Sequence, residues 1–242
     1  MTIVSIIGAG HIGMPVIDAI TSGSLPGYRL GKVLVSDRSK RTANDGTYTD
    51  DWNDLAQSTP DIILELAGPS AFRAFAERAI SVAETWSISS AAMAEVEFDK
   101  TITRSLIANR RLRFLSGAIG GLDAIAAAAV DPSSEIIITA ALSTTPPDAE
   151  PDVIGSARDI VQRFEGVNVV SAIALAGHGL DKTRVRYFHR PGTEQRRFVV
   201  DVSSQHGQYR LESRPTPKPG PSAVVASVLS ALRARSNRIV IG

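Results

Sequence analysis

Ile3-Val4-Ser5-Ile6-Ile7-Gly8-Ala9-Gly10-His11-Ile12-Gly13 is the stretch on which the reading of the fold turns. An apolar run of strand length, Ile3 to Ile7, meets three glycines spaced G-x-G-x-x-G, and a helix-period stretch from Ile12 to Ser22 follows directly. Each glycine has a physical task in that setting. Gly8 permits a tight turn, Gly10 lets the backbone approach a pyrophosphate, and Gly13 lets the helix pack close to the strand. The helix N-terminus adds N–H groups and a partial positive charge facing the phosphates, with His11 and Ile12 inside the loop. A glycine-rich turn without a ligand is the alternative, and the strand-loop-helix context weighs against it.

Outward from the loop, strand-like runs at Lys32 to Ser36, Asp61 to Leu64, Thr85 to Ser89 and Arg113 to Leu115 alternate with candidate helices at Pro69 to Val82 and Glu97 to Asn109. Alternation of that kind predicts repeated βαβ units: an α/β chain with an N-terminal, doubly wound, parallel Rossmann sheet. Asp37 lies 24 residues beyond Gly13, where an acidic side chain would accept hydrogen bonds from the adenosine ribose, and this tips the expectation toward NAD. Arg38 and Arg41 follow at once, and a guanidinium there suits a 2′-phosphate, so NADP stays open. Two further strand ends, Ala67-Gly68-Pro69 and Ser89-Ser90, are expected to face the cofactor, because ligands in such sheets lie outside the carboxyl ends of the strands.

After Ser116 the pattern changes. A Gly- and Ala-rich segment leads into the run Glu135 to Leu142, a helix is expected over Asp152 to Phe164, and strands over Arg184 to Phe188, Arg197 to Val202 and Gln208 to Glu212 are read as an antiparallel meander. The Pro-rich stretch Pro215 to Pro221 is an extended connector, and a last helix is expected over Ser222 to Arg235. The division that follows is a dinucleotide-binding domain at 1–115, a second α/β domain with a mixed or antiparallel sheet at 116–220 for substrate and dimerisation, and a C-terminal helix at 221–242 returning towards the first domain.

Composition narrows the function classes. The 242 residues are 43% hydrophobic and 21% charged, ordinary for a globular chain with a substantial core. With 26 Lys and Arg against 25 Asp and Glu, the net charge of +1 gives no basic surplus for nucleic acid. No apolar run suggests a membrane span or a secretory leader. There are no cysteines, which removes disulfides, thiolate nucleophiles and thiolate metal sites and fits a cytoplasmic location. No His, Asp and Glu spacing suggests a metal, and no Ser, His and Asp arrangement is identifiable.

Two segments carry a more specific likeness: Phe114-Leu115-Ser116-Gly117-Ala118-Ile119-Gly120-Gly121-Leu122-Asp123-Ala124, and Val167-Asn168-Val169 through Leu175-Ala176-Gly177 to Asp181-Lys182-Thr183-Arg184-Val185. With the glycine loop, they resemble the L-aspartate dehydrogenase family, in order along nearly the whole chain. The resemblance implies a homodimeric enzyme that moves a hydride between the α-carbon of an amino acid and a nicotinamide, releasing ammonia through an imine. It also implies that Ser116, Gly117 and Ala118 lie under the nicotinamide, with Asn168 near the ring or the substrate.

The chain departs from the family at the chemistry. Counting from Pro191, the family's catalytic histidine falls on Phe198, and an arginine such as Arg196 or Arg197 cannot act as a base near neutral pH. Thr145-Pro146-Pro147 lacks the basic residue, and Pro221-Ser222-Ala223 the Lys-Thr-Ser step, that the family carries for a dicarboxylate. The substrate is therefore read broadly, as an amino acid, imine or related small carbonyl. His178, inside the second matched segment, is the candidate to replace the missing acid/base group, ahead of His11, His189 and His206. Arg196 and Arg197 are candidates for binding a substrate carboxylate. The rival reading is a dinucleotide-binding sensor or partner subunit that has lost catalysis.

Overall fold

Six parallel strands make up the first sheet of the computed structural model, which describes residues 1–40, 46–106, 111–142, 149–188, 196–216 and 221–239. They are β1 (Thr2–Ile7), β2 (Tyr28–Leu34), β3 (Tyr48–Thr49), β4 (Ile62–Glu65), β5 (Glu84–Ser87) and β6 (Leu112–Phe114), in the order β3-β2-β1-β4-β5-β6. Helices α1 (Gly13–Thr21), α2 (Trp52–Gln57), α3 (Pro69–Val82) and α4 (Val96–Ser105) fall between the strands. The order reverses between β1 and β4, and that switch point opens a crevice at the carboxyl ends of the strands.

Strand alternation sorts the core. Val4, Ile6, Ile62, Leu64 and Trp86 face one side, where they pack with Val16, Ile17 and Ile20 of α1 and with Val225, Val228, Ala231 and Leu232 of the C-terminal helix (Ala223–Ser236). Tyr28 reinforces that packing by donating its hydroxyl to the Leu232 carbonyl at 2.7 Å. Ile7, Leu34 and Ile63 face the other side with Leu55, Ala79 and Ala83. Contacts divide the chain into two units: Met1–Leu115 with the C-terminal segment from Val225 on, and Ser116–Val224.

The second unit holds α5 (Leu122–Ala128), β7 (Glu135–Leu142), β8 (Val153–Ser156), α6 (Ala157–Arg163), α7 (Asn168–Ala176), β9 (Arg184–Tyr187), β10 (Arg196–Ser204) and β11 (Gly207–Ser213). Its sheet is mixed, in the order β11-β10-β7-β9-β8. The expected meander is corrected here: only β10 and β11 form a hairpin, while β9 runs parallel to β7 and is separated from β10 by it. The helix expected from Asp152 begins later. Val153 to Ser156 pair with β9, and α6 starts at a capping box in which Ser156 and Asp159 satisfy each other's backbone N–H groups. Asn168 to Ala176, left without an assigned element by the sequence reading, is a helix buried almost all round.

Candidate functional site

The carboxyl ends of the first sheet line up in register. Leu34 pairs with Ile7, Ile7 with Glu65, Glu65 with Ser87 and Ser87 with Phe114, so everything after these residues forms one rim. Gly8 to Gly13 is the central part of that rim, and its three glycines answer to different constraints. Gly8 sits at φ +99°, and a Cβ there would lie 2.6 Å from the Ala67 Cβ. A Cβ on Gly13 would lie 2.0 Å from the Gly8 carbonyl oxygen, so the close start of α1 excludes any side chain. Gly10 has neither a left-handed backbone nor any atom within 4 Å of where its Cβ would be. The fold alone therefore does not require glycine at 10, whereas an anion resting on the backbone does. At the start of α1, Met14 N donates to the Gly10 carbonyl at 3.0 Å, Ile12 at the cap offers no side-chain acceptor, and the first turn carries no acidic residue to compete with an anion. His11 is exposed in the loop.

Around this centre the other candidates are placed as follows. Asp37 stands three residues beyond the end of β2, and its Oδ1 accepts from Ser39 N at 3.0 Å and Ser39 Oγ at 2.5 Å. It thus caps the short 3-10 turn that the exposed Arg38 begins. Arg41 lies outside the described residues, as do His189, Pro191 and Thr145-Pro146-Pro147. Ala67 is exposed at the end of β4, Gly68 turns the chain at φ +114°, and Pro69 opens α3, where a missing N–H costs nothing. Ser89 and Ser90, expected to face the cofactor, are buried at 0% and 2% exposure.

Glu65 is the residue the sequence reading missed. It is 1% exposed, yet it ends a strand that otherwise reads Ile62-Ile63-Leu64. Its Oε1 accepts from the backbone N–H groups of Ala67 and Gly68, each at 2.8 Å, and its Oε2 accepts from Ser87 Oγ at 2.5 Å. Burial pushes the carboxyl above its ordinary range, against the pull of those hydrogen bonds toward the charged form. The visible signal was a charge closing an apolar strand at a switch point.

In the second unit, Ser116 and Gly117 open the loop before α5. Gly117 takes φ +65°, and the Ala118 carbonyl accepts a short hydrogen bond from Ser213 Oγ. Ser213 pairs with Phe198, and Arg196 with Leu142, so the Ser116–Ala118 loop belongs to the same end of the sheet as Arg196, Arg197 and Phe198. Phe198, where the resemblance calls for histidine, is 3% exposed and packs as a core residue opposite Ala140. Arg196 donates to the Tyr187 hydroxyl at 3.0 Å. Arg197 pairs within the sheet: its Nε and Nη2 grip both oxygens of Glu212 at 2.9 and 3.2 Å.

His178 stands at the other end. Its Nε2 meets Ser134 Oγ at 2.7 Å and the Ser134 carbonyl at 3.0 Å, just before β7 begins. Seven strand steps from Glu135 to Leu142 place it roughly 20 Å from the Arg196 end. It also follows the C-terminus of α7, whose first residue is Asn168, so the length of a nine-residue helix, about 13 Å, separates these two candidates as well. His178 and the two arginines are therefore candidates at opposite ends of this sheet.

Glu212, held between Arg197 and Arg214, has its carboxyl lowered from the usual 4.5 to about 2. A carboxyl lowered in the folded chain adds stability that is present above pH 4.5 and disappears as the pH falls towards 2. In acid titrations followed by circular dichroism, Glu212→Gln should lower stability at pH 7 and flatten its loss between pH 4.5 and 2, so that the two proteins converge at the acid end. An unchanged acid limb would contradict the pairing.

Comparison with known proteins follows the same outline. Residues 8–113 match the family model described as homoserine dehydrogenase, NAD binding domain, and residues 146–237 match aspartate dehydrogenase, C-terminal. The L-aspartate dehydrogenase of Ruegeria pomeroyi is 32% identical over 205 residues, covering 74% of each chain. That of Methanopyrus kandleri is 30% identical over 228 residues, 87% of this chain and 85% of its own. The crystal structure of aspartate dehydrogenase from Thermotoga maritima shares the fold over 100% of both chains with a TM-score of 0.78 at 23% identity. An archaeal homoserine dehydrogenase in complex with NADPH shares it with a TM-score of 0.56 at 10% identity. Among the described residues no helix is long and apolar enough to cross a membrane. The chain belongs to the L-aspartate dehydrogenase family and is an NAD(P)-dependent oxidoreductase of that type.

Proposed function

We propose that the chain is an amino acid dehydrogenase that holds its coenzyme on the Gly8 to Gly13 loop and acts on an amino acid, an imine or a related small carbonyl. The observation that carries the coenzyme site is Gly10: glycine stands where neither backbone angle nor packing asks for it, at the N-terminus of a helix whose first turn is free of acid. When bound, the nicotinamide takes up or gives back a hydride at the substrate's α-carbon. The chain's own residues orient the partners. Amide groups of the loop hold the diphosphate, with His11 and Ile12 beside them and Asp37 or Arg38 towards the ribose. Ala67, Gly68 and Pro69 line the neighbouring rim, while the buried Ser89 and Ser90 support it from beneath. On the family likeness, Ser116, Gly117, Ala118 and Asn168 border the nicotinamide. Domain 1–115 thus serves the dinucleotide, 116–220 the substrate and a homodimer contact, and 221–242 completes the first domain; the location is read as cytoplasmic.

Two observations bear on the chemistry at this end of the second sheet. Phe198 fills the histidine's place with a buried ring, and Arg196 brings a cation to the same end of the sheet. Arg196 is assigned to the substrate carboxylate, because a guanidinium meets a carboxylate with two parallel hydrogen bonds. The proton lost from the amine goes to water, since His178 is bound to Ser134 at the far end. Oxidation leaves an imine, a reduced coenzyme and a proton, and water then converts the imine to an oxo acid and ammonia.

A panel of 2-oxo acids with ammonia, run with NADH and NADPH, tests the reading. At least one member should oxidise the coenzyme, and with it Arg196→Ala should raise KM about tenfold or more, the worth of charge-assisted hydrogen bonds, while His178→Asn keeps KM and kcat within about threefold. Coenzyme binding without turnover across the panel would return the chain to the sensor class. Activity lost in His178→Asn and kept in Arg196→Ala would reverse the assignment.

A further inference from the structure

We propose that Glu65 is a positioning residue for the coenzyme: a single buried carboxylate that fixes the two turns flanking the glycine loop. The inference rests on the coenzyme reading above and adds a residue and a role to it. One oxygen of Glu65 binds the N–H groups of Ala67 and Gly68, which form the turn after β4. The other receives the Ser87 hydroxyl, and that Oγ in turn accepts the N–H of Ser89 at 2.9 Å, fixing the turn after β5. Both strand ends that border the crevice are therefore tied to one side chain. Ser89 Oγ, itself fully buried, lies near enough to favour the charged carboxylate yet completes no well-formed hydrogen bond.

The tied turn is also a wall of the glycine loop. A Cβ on Gly8 would strike Ala67 Cβ at 2.6 Å, Cα at 2.8 Å and N at 2.9 Å, so the loop and the turn touch backbone to backbone. Any shift of the Ala67–Gly68 turn moves the surface against which Gly8 rests. A strand-to-helix turn does not need a buried acid to form, and burial opposes the ionised state here. A group that the environment disfavours, placed at the switch point of a nucleotide-binding sheet, points to function rather than to stability.

Titration calorimetry with NADH and NADPH on the full chain, beside thermal denaturation, tests the role. Glu65→Ala should raise Kd for the preferred coenzyme at least tenfold while the variant remains folded. Glu65→Gln, whose carbonyl oxygen can still accept both amide N–H groups, should restore affinity to within threefold of the parent. A structural role alone would lower the melting temperature and leave the affinity of the folded protein as it was, and a folded Glu65→Ala with Kd within twofold of the parent would overturn the proposal. If Glu65→Ala does not fold, Ser87→Ala decides: a threefold or greater rise in Kd supports it, and unchanged affinity overturns it. Failure of the parent itself to bind either coenzyme would sink the coenzyme reading instead, so the two are told apart.

Discussion

Gly10→Val should lose at least about 100-fold in affinity for NADH or NADPH, some 2.7 kcal/mol, with a melting temperature close to that of the parent. The volume beside Gly10 is empty: no atom lies within 4 Å of a Cβ built there, and the backbone is not in the left-handed region. A side chain therefore leaves position 10 into open space, with no backbone angle that opposes it. What it removes is the direct approach of phosphate oxygens to the amide-lined turn, where binding depends on backbone distance and not on side-chain chemistry. Calorimetry gives the affinity and thermal denaturation the stability. A variant that binds coenzyme as the parent does would show that the diphosphate lies elsewhere.

Gly13→Ala should behave in the opposite sense, although the two glycines belong to one motif. The added methyl would stand 2.0 Å from the Gly8 carbonyl oxygen and 3.0 Å from its carbon, both backbone atoms that no rotamer change can move aside. Either α1 backs away from β1 or the loop deforms, and overpacking on that scale costs about 3 kcal/mol or more. At this chain length that is a fall of roughly 6 to 12 °C in melting temperature. Any loss of affinity then accompanies a loss of fold. A Gly13→Ala variant as stable as the parent would contradict the close approach of helix to strand.

Much of the first unit was legible because its signals are local. Gly68-Pro69 marks the start of α3, and the 14 residues from Pro69 to Val82 keep a helical period with Phe72, Ala76, Ala79 and Ile80 inward. Glu135 to Leu142 is a short run rich in Ile, as a buried strand is, and lies in the centre of its sheet. What escaped has physical reasons. Asn168–Ala176 buries residues 169 to 174 without a break, so it has no polar face to announce a helix, and it lacks a side-chain cap. Trp52–Gln57 is too short, at six residues, to show a period. The insertion of β7 between β9 and β10 is a long-range pairing that no window of sequence contains. The same limit governed the candidate site. His178 and Arg196 are near in sequence, and only the register of the sheet sets them at opposite ends.

Amide exchange with and without NADH or NADPH at saturating concentration reads the position of the coenzyme itself. The account predicts slowed exchange centred on residues 8 to 13, extending to the turn at Ala67 and Gly68. Protection that appears elsewhere and spares Gly8 to Gly13 would contradict it.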